Sequence, residues 1–103
     1  MLLSELKAKL MKNPKFRKEY ERYDLPFEIG LLILQMRLNS GLTQIQLAKK
    51  IGTKQPSLAR AERGSMLPSL GYLQKIAEAT GHELRVDIKK VGHGYLKSPP
   101  STK

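Results

Sequence analysis

The residues from Thr43 to Gly64, TQIQLAKKIGTKQPSLARAERG, constrain the fold more than any other part of the chain. Thr43 is a favourable N-cap, and Gln46 follows at the position where a glutamine completes a capping box. The helix predicted from these signals ends at Gly52, where we expect a left-handed backbone. Thr53 is predicted to cap a second helix that ends at Gly64. The pattern therefore predicts two short helices joined by a tight turn.

The apolar positions of this window predict how the two helices pack. Ala48 falls in the middle of the first helix, where a small side chain allows the second helix to approach closely. Leu47 and Ile51 on the first helix, and Leu58 and Ala61 on the second, face a common core. Such a pair of helices forms a helix-turn-helix, which predicts DNA binding. A helical hairpin with a glycine turn also occurs in unrelated α-helical bundles, so the spacing alone leaves both interpretations open.

The exposed side of the second helix favours DNA binding. Gln55 has the chemistry to pair with adenine through two hydrogen bonds, and Lys54 or Arg60 with guanine, in the major groove. Ser57 is within reach of a phosphate. Gln44, at the positive end of the preceding helix, is placed to bind phosphate or to brace Gln55. The alternative interpretation is an ordinary solvated polar face.

The sequence GLTQIQLAKKIGTKQPSLARAERGSMLPSLGYLQKIAEATG resembles the Cro/cI-type, or xenobiotic-response-element-type, helix-turn-helix family, and the resemblance covers about residues 27–81. It implies an all-α, five-helix domain whose third helix, about residues 54–62, enters the major groove of double-stranded DNA at a palindromic operator. It also implies a structural ion pair between Arg37 and Glu62. The DNA-binding residues that the resemblance and the exposed polar face together predict are Gln44, Thr53, Lys54, Gln55, Pro56, Ser57, Arg60, Arg63 and Ser65.

The segments that flank this region, NPKFRKEYERYD and GHELRVDIKKV, are similar to those of HigA-type antitoxins of toxin–antitoxin operons. This resemblance implies that a dimer represses its own operon and neutralises a toxin of the RelE/HigB type, an mRNA endonuclease. A plain repressor without a toxin, or an RNA-binding or general nucleic-acid module, remains an alternative. The expected toxin-binding side chains are Leu6, Leu10, Phe16, Tyr20 and Tyr23.

Those toxin-binding side chains lie in a predicted N-terminal helical arm, residues 1–25. Apolar residues recur there at helical spacing, and the break at Asn13–Pro14 divides the arm into two segments. Residues 26–91 are predicted to form the DNA-binding domain with a C-terminal dimerisation strand. Residues 92–103, rich in Pro, Gly, Ser, Thr and Lys, have the composition of a disordered tail.

Leu84, Val86 and Ile88 alternate with polar residues, which is strand spacing. A lone strand leaves its N–H and C=O groups unpaired, and the rest of the domain is predicted to be helical. We therefore expect the strand to pair with its copy in a second chain and to form a homodimer. Two recognition helices would then meet half-sites about 34 Å apart. A short hairpin onto Tyr95–Leu96, a frayed tail and an extension of the last helix are the alternatives.

The composition argues against several other classes of protein. The chain has no cysteine and only two histidines, His82 and His93, without a second histidine at i+3 or i+4. We therefore predict no metal, no cofactor and no enzyme activity. We see no secretory signal and no membrane span, and we expect a cytoplasmic protein.

The net charge of +10 favours a polyanionic partner but is spread along the chain. Basic side chains outnumber acidic ones by seven to four in residues 1–25, eight to five in residues 26–88 and four to none in residues 89–103.

Overall fold

The computed structural model describes residues 3–22 and 24–92, and this part of the chain is all-helical. Its longest helix has 15 residues, and none of the described helices has the length and hydropathy to cross a membrane. The six helices are α1 (Leu3–Leu10), α2 (Pro14–Arg22), α3 (Leu25–Asn39), α4 (Gln44–Ile51), α5 (Gln55–Arg63) and α6 (Leu70–Ala79).

Most of the predicted helix ends are present. The Thr43 hydroxyl accepts a hydrogen bond from the Gln46 N–H at 3.1 Å, and the Gln46 side chain accepts one from the Thr43 N–H at 2.9 Å. This reciprocal pair is the predicted capping box. Gly52 ends α4 with φ 75° and ψ 32°, which confirms the left-handed turn. The predicted cap at Thr53 is wrong, because Lys54 is the N-cap residue of α5 and makes no capping hydrogen bond through its side chain.

Each helix from α3 to α6 contributes one fully buried aliphatic side chain to the core: Ile33, Leu47, Leu58 and Ile76, in that order. The bundle of residues 25–79 therefore has four helices, not the five that the family resemblance implies. Of the described residues 80–92 that follow α6, Leu84 is the hydrophobic residue that packs, partly buried, against this core.

The backbones of α3 and α5 meet without a side chain between them. A Cβ atom on Gly30 would lie 2.5 Å from the carbonyl oxygen of Glu62 and 2.8 Å from that of Ala61. At the end of α5, a Cβ atom on Gly64 would lie 2.8 Å from the Cα atom of Phe27. Glycine is therefore needed at Gly30 for the two helices to come this close.

The N-terminal arm packs against the bundle. Leu6 of α1 is 4% exposed, and α1 contacts α3. The Lys7 ammonium lies 3.8 Å from the Glu28 carboxylate of α3. The Phe16 ring of α2 stands 5.4 Å from the Phe27 ring, centroid to centroid. Both arm helices are therefore anchored on α3 through these contacts.

This packing changes the interpretation of the predicted toxin-binding residues. Leu6 is buried inside the chain itself, and Leu10 and Phe16 are half-buried. The Tyr20 side chain and Tyr23 lie outside the described part of the chain. The arm uses at least one of its apolar residues to stabilise its own fold, so Leu6 is not available as an exposed toxin contact.

The predicted C-terminal strand is not formed. Residues 82–92 contain neither helix nor strand. A ladder needs a second strand, and the described residues of the chain provide none. Leu84 turns towards the core instead, whereas Val86 and Ile88 are 62% and 89% exposed. The structure of the single chain therefore does not support the predicted pairing of strands across a dimer. Residues 93–103 of the predicted tail lie outside the described residues.

We predict that Gly30→Ala lowers the free energy of unfolding by about 1–3 kcal/mol, because the new methyl group forces α3 away from α5. Gly71→Ala in α6 is the matched control, since the nearest atom to its Cβ would be the Ser69 Oγ at 3.9 Å. The control should be neutral or slightly stabilising, as alanine is the better helix former. Urea unfolding followed by circular dichroism measures both variants, and equal stabilities would contradict the close approach.

Candidate nucleic-acid interface

The helix-turn-helix is formed by α4, the turn of residues 52–54 and α5. Leu47 and Ala48 of α4, and Leu58 and Ala61 of α5, are buried and fix the two helices to the core. The N–H of Thr53 donates to the Ala48 carbonyl at 2.9 Å and closes the turn. Because these contacts lie on the inner side, the opposite side of α5 faces outwards.

The predicted DNA-binding residues lie together at the start of α4, along α5 and in the turn after it. Arg60 donates to the Ser57 hydroxyl at 3.3 Å, which places both side chains on one face of α5. The exposed members of the set are Lys54, Pro56, Arg60, Arg63 and Ser65, and the half-buried members are Gln44, Thr53, Gln55 and Ser57.

The predicted ion pair between Arg37 of α3 and Glu62 of α5 is present. The Arg37 Nε donates to Glu62 Oε2 at 2.6 Å, and Arg37 Nη2 donates to Glu62 Oε1 at 3.1 Å. Only 14% of the arginine side chain and 6% of the glutamate side chain are exposed. The remaining guanidinium nitrogen, Nη1, donates to the Leu42 carbonyl at 2.9 Å. This bidentate pair therefore joins α3, the α3–α4 turn and α5.

Two glutamines extend this pair to the start of α5. Gln44 Nε2 donates to Glu62 Oε1 at 2.9 Å, and Gln55 Nε2 donates to Gln44 Oε1 at 2.7 Å. We call Arg37, Glu62, Gln44 and Gln55 the polar network. It holds the Gln55 amide in one position, which confirms the predicted brace. A side chain that is fixed before binding loses less conformational entropy when it meets a base.

Sequence reasoning missed the contact between Gln44 and Glu62 and the position of Ile45. Ile45 is 68% exposed, at the start of α4. It lines an open depression of about 450 Å³ together with Gln44, Gln55 and the α3–α4 turn. An apolar side chain beside Gln44 and Gln55 has the chemistry to contact a thymine methyl group. The exposure of Ile45 next to Gln44 is what marks this position, and the sequence does not show it because exposure depends on how the helices pack.

These observations together define the class of protein. An outward-facing short helix carries glutamine and arginine at its exposed side, and a four-helix core holds it in place. Among the described residues there is no group of three or more His, Cys, Asp or Glu side chains that could hold a metal ion. The fold and the site are those of a helix-turn-helix DNA-binding domain.

Comparison with known proteins gives the family. A helix-turn-helix family model matches residues 33–85, and the chain belongs to this Cro/cI-type family. An uncharacterised HTH-type transcriptional regulator from Methanothermobacter thermautotrophicus is 39% identical over 57 residues, which cover 55% of this chain and 83% of the relative.

Two eukaryotic relatives match as well. The endothelial differentiation-related factor 1 homolog of Danio rerio is 40% identical over 68 residues, 66% of this chain and 47% of that protein. Multiprotein-bridging factor 1a of Arabidopsis thaliana is 32% identical over 82 residues, 80% of this chain and 56% of that protein. The chain thus spans about half the length of these curated relatives. They support the family but not the finer HigA-type assignment.

We predict that Glu62→Ala destabilises the protein by about 3 kcal/mol, because it leaves the Arg37 charge buried without its partner. Lys7→Ala is the comparison, since it removes the more exposed ion pair to Glu28 at 3.8 Å. That change should cost less than about 1 kcal/mol. Urea unfolding measures both, and a cost for Glu62→Ala no larger than for Lys7→Ala would show that the polar network contributes little.

Proposed function

We propose that this chain is a sequence-specific, double-stranded-DNA-binding transcription regulator that acts without catalysis. The observation that carries the proposal is the Gln55 side chain, which α5 presents at its exposed start and Gln44 holds at 2.7 Å. The archaeal relative, described as an HTH-type transcriptional regulator, supports the same function.

The proposed mechanism places the start of α5 in the major groove. Gln55 keeps an amide oxygen and a second N–H proton, which is the pair of groups that adenine requires. Arg60, about 1.4 turns further along α5, pairs with guanine. Ser57, Arg63 and Ser65 contact phosphates and fix the depth and register of the helix. Base contacts supply the specificity, and phosphate contacts supply much of the affinity.

We further propose that the regulator binds a palindromic operator as a homodimer through the C-terminal segment. Val86 and Ile88 are exposed there, and Leu25 and Leu70 expose more than half of their surface nearby. Leu25, Leu70 and Val86 line a groove of about 600 Å³ between α3, α6 and residues 82–87. A second copy would cover this apolar surface and offer the backbone of residues 84–90 hydrogen-bond partners.

Three more specific functions are compatible with a DNA-binding regulator, and different observations support each of them. The antitoxin function stays a prediction from the flanking sequences, and the burial of Leu6 removes one of its contacts. A plain regulator requires only the helix-turn-helix and its operator. The name of the Arabidopsis relative, multiprotein-bridging factor, favours a further candidate: a regulator that also binds another protein through the groove beside Val86.

Selection of bound sequences from a randomised duplex library should yield one preferred site with two-fold symmetry. On that site we predict that Gln55→Ala or Arg60→Ala costs about 1–3 kcal/mol of binding free energy and relaxes one base position in each half-site. Lys75→Ala on α6 is the control and should leave the preference intact. A protein that binds every duplex equally at moderate salt would contradict the proposal.

Sedimentation equilibrium without DNA tests the dimer. The wild-type protein should be dimeric, and Ile88→Asp should make it monomeric, because a carboxylate cannot be buried in an apolar contact without a partner. Ile45→Asp, which changes another exposed isoleucine at the start of α4, should remain dimeric. If the wild-type protein is monomeric, the apolar groove has a different occupant, and the multiprotein-bridging candidate gains support.

A further inference from the structure

The arm carries a dense positive charge on its outer surface. Residues 6–18 contain six basic side chains and no acidic one. Two of the six have internal partners: Lys7 lies beside Glu28, and the Arg17 guanidinium donates to the Met11 carbonyl at 2.9 and 3.2 Å. The four others, Lys9, Lys12, Lys15 and Lys18, are exposed.

The packing of the arm decides where this charge is held. The Phe16 ring of α2 rests against the Phe27 ring of α3. The Phe27 backbone in turn lies against Gly64, the residue that ends α5. The first turn of α2 is therefore separated from the end of α5 by a single phenylalanine. Lys15 directly precedes Phe16 and Lys18 follows it by two residues, so both lie in the helix that packs through Phe27 near the end of α5.

This end of α5 is where a bound duplex presents its backbone. A helix in the major groove has a sugar–phosphate strand along each side, and contacts to these strands position a DNA-binding protein without reading sequence. Arg63 and Ser65, both exposed, are the predicted phosphate contacts there. The arm, with its exposed lysines, packs next to this end of α5 through Phe27.

We propose that the N-terminal arm is a second DNA-binding element, in which Lys12, Lys15 and Lys18 contact backbone phosphates outside the groove that α5 enters. This inference rests on the proposed function. The apolar residues of the arm support it, because Leu6 is buried and Phe16 packs on Phe27. What the described part of the arm offers a partner is then mainly lysine, which matches a polyanion and not an apolar protein surface.

The test replaces the three lysines together by glutamine. Every lysine that neutralises a phosphate releases counterions, so the slope of log Kobs against log salt should flatten by about 0.9 per contact, and by up to about 2.7 per bound protomer for the triple variant. The control, Lys75→Gln with Lys49→Gln and Lys50→Gln, removes the same net charge from exposed positions of α6 and the end of α4. The slope of the control should stay close to that of the wild-type protein.

Both triple variants are measured on the selected site and on a duplex of equal length and random sequence. Because phosphate contacts carry no sequence information, the arm variant should weaken binding to both duplexes by a similar factor and leave the base preference unchanged. Replacing the same three lysines by arginine should restore the wild-type slope. Thermal unfolding by circular dichroism shows that all variants keep the fold.

The outcomes separate this inference from the proposed function. Equal slopes for the arm variant and the control, with specific binding intact, would overturn the role of the arm and leave the regulator standing. A wild-type protein without any preferred duplex would overturn the regulator first. If the arm variant loses affinity only for a single-stranded RNA of equal length, which is measured in parallel, the arm binds RNA and the proposal is wrong.

Discussion

The close contact between α3 and α5 is the constraint on which the rest of the structure depends. Gly30 allows the backbones of the two helices to touch at the carbonyl groups of Ala61 and Glu62. At this separation the Arg37 side chain reaches the Glu62 carboxylate with two hydrogen bonds. A wider separation would leave both charges partly desolvated and unpaired, which is a costly state. The contact and the ion pair therefore support each other.

The same contact determines what α5 presents to solvent. Glu62 is held at the end of α5, and through Gln44 it is linked to Gln55 at the start of that helix. The polar network thus connects both ends of α5 to the helices behind it. The Gln55 side chain is thereby fixed at the start of α5, so a partner that contacts it does not have to order it first. The Glu62 carboxylate accepts hydrogen bonds from both Arg37 and Gln44, so it links the buried ion pair to the side chain that holds Gln55.

Local signals were sufficient for much of the fold. The capping box at Thr43, the left-handed turn at Gly52 and the buried positions Leu47 and Leu58 follow from hydrogen bonds and spacing within a few residues. The cap of α5 was wrong by one residue, because the chain continues in an extended conformation to Lys54. The alternation of apolar and polar residues at Leu84, Val86 and Ile88 could not establish a strand by itself, because a ladder also needs a second strand and the described residues contain none.

The sequence by itself determined the helix-turn-helix and its outward polar residues, because capping signals and apolar spacing act within a few residues. The pairing of Arg37 with Glu62 was implied by the resemblance to the Cro/cI-type family. The tertiary structure alone decided the roles of Gly30 and Leu6. A glycine within a helix shows no local sign that another backbone will lie against it, and a leucine in an amphipathic arm fits a foreign partner as well as its own core. Burial is a property of what surrounds a side chain, and these surroundings come from residues that are distant along the chain.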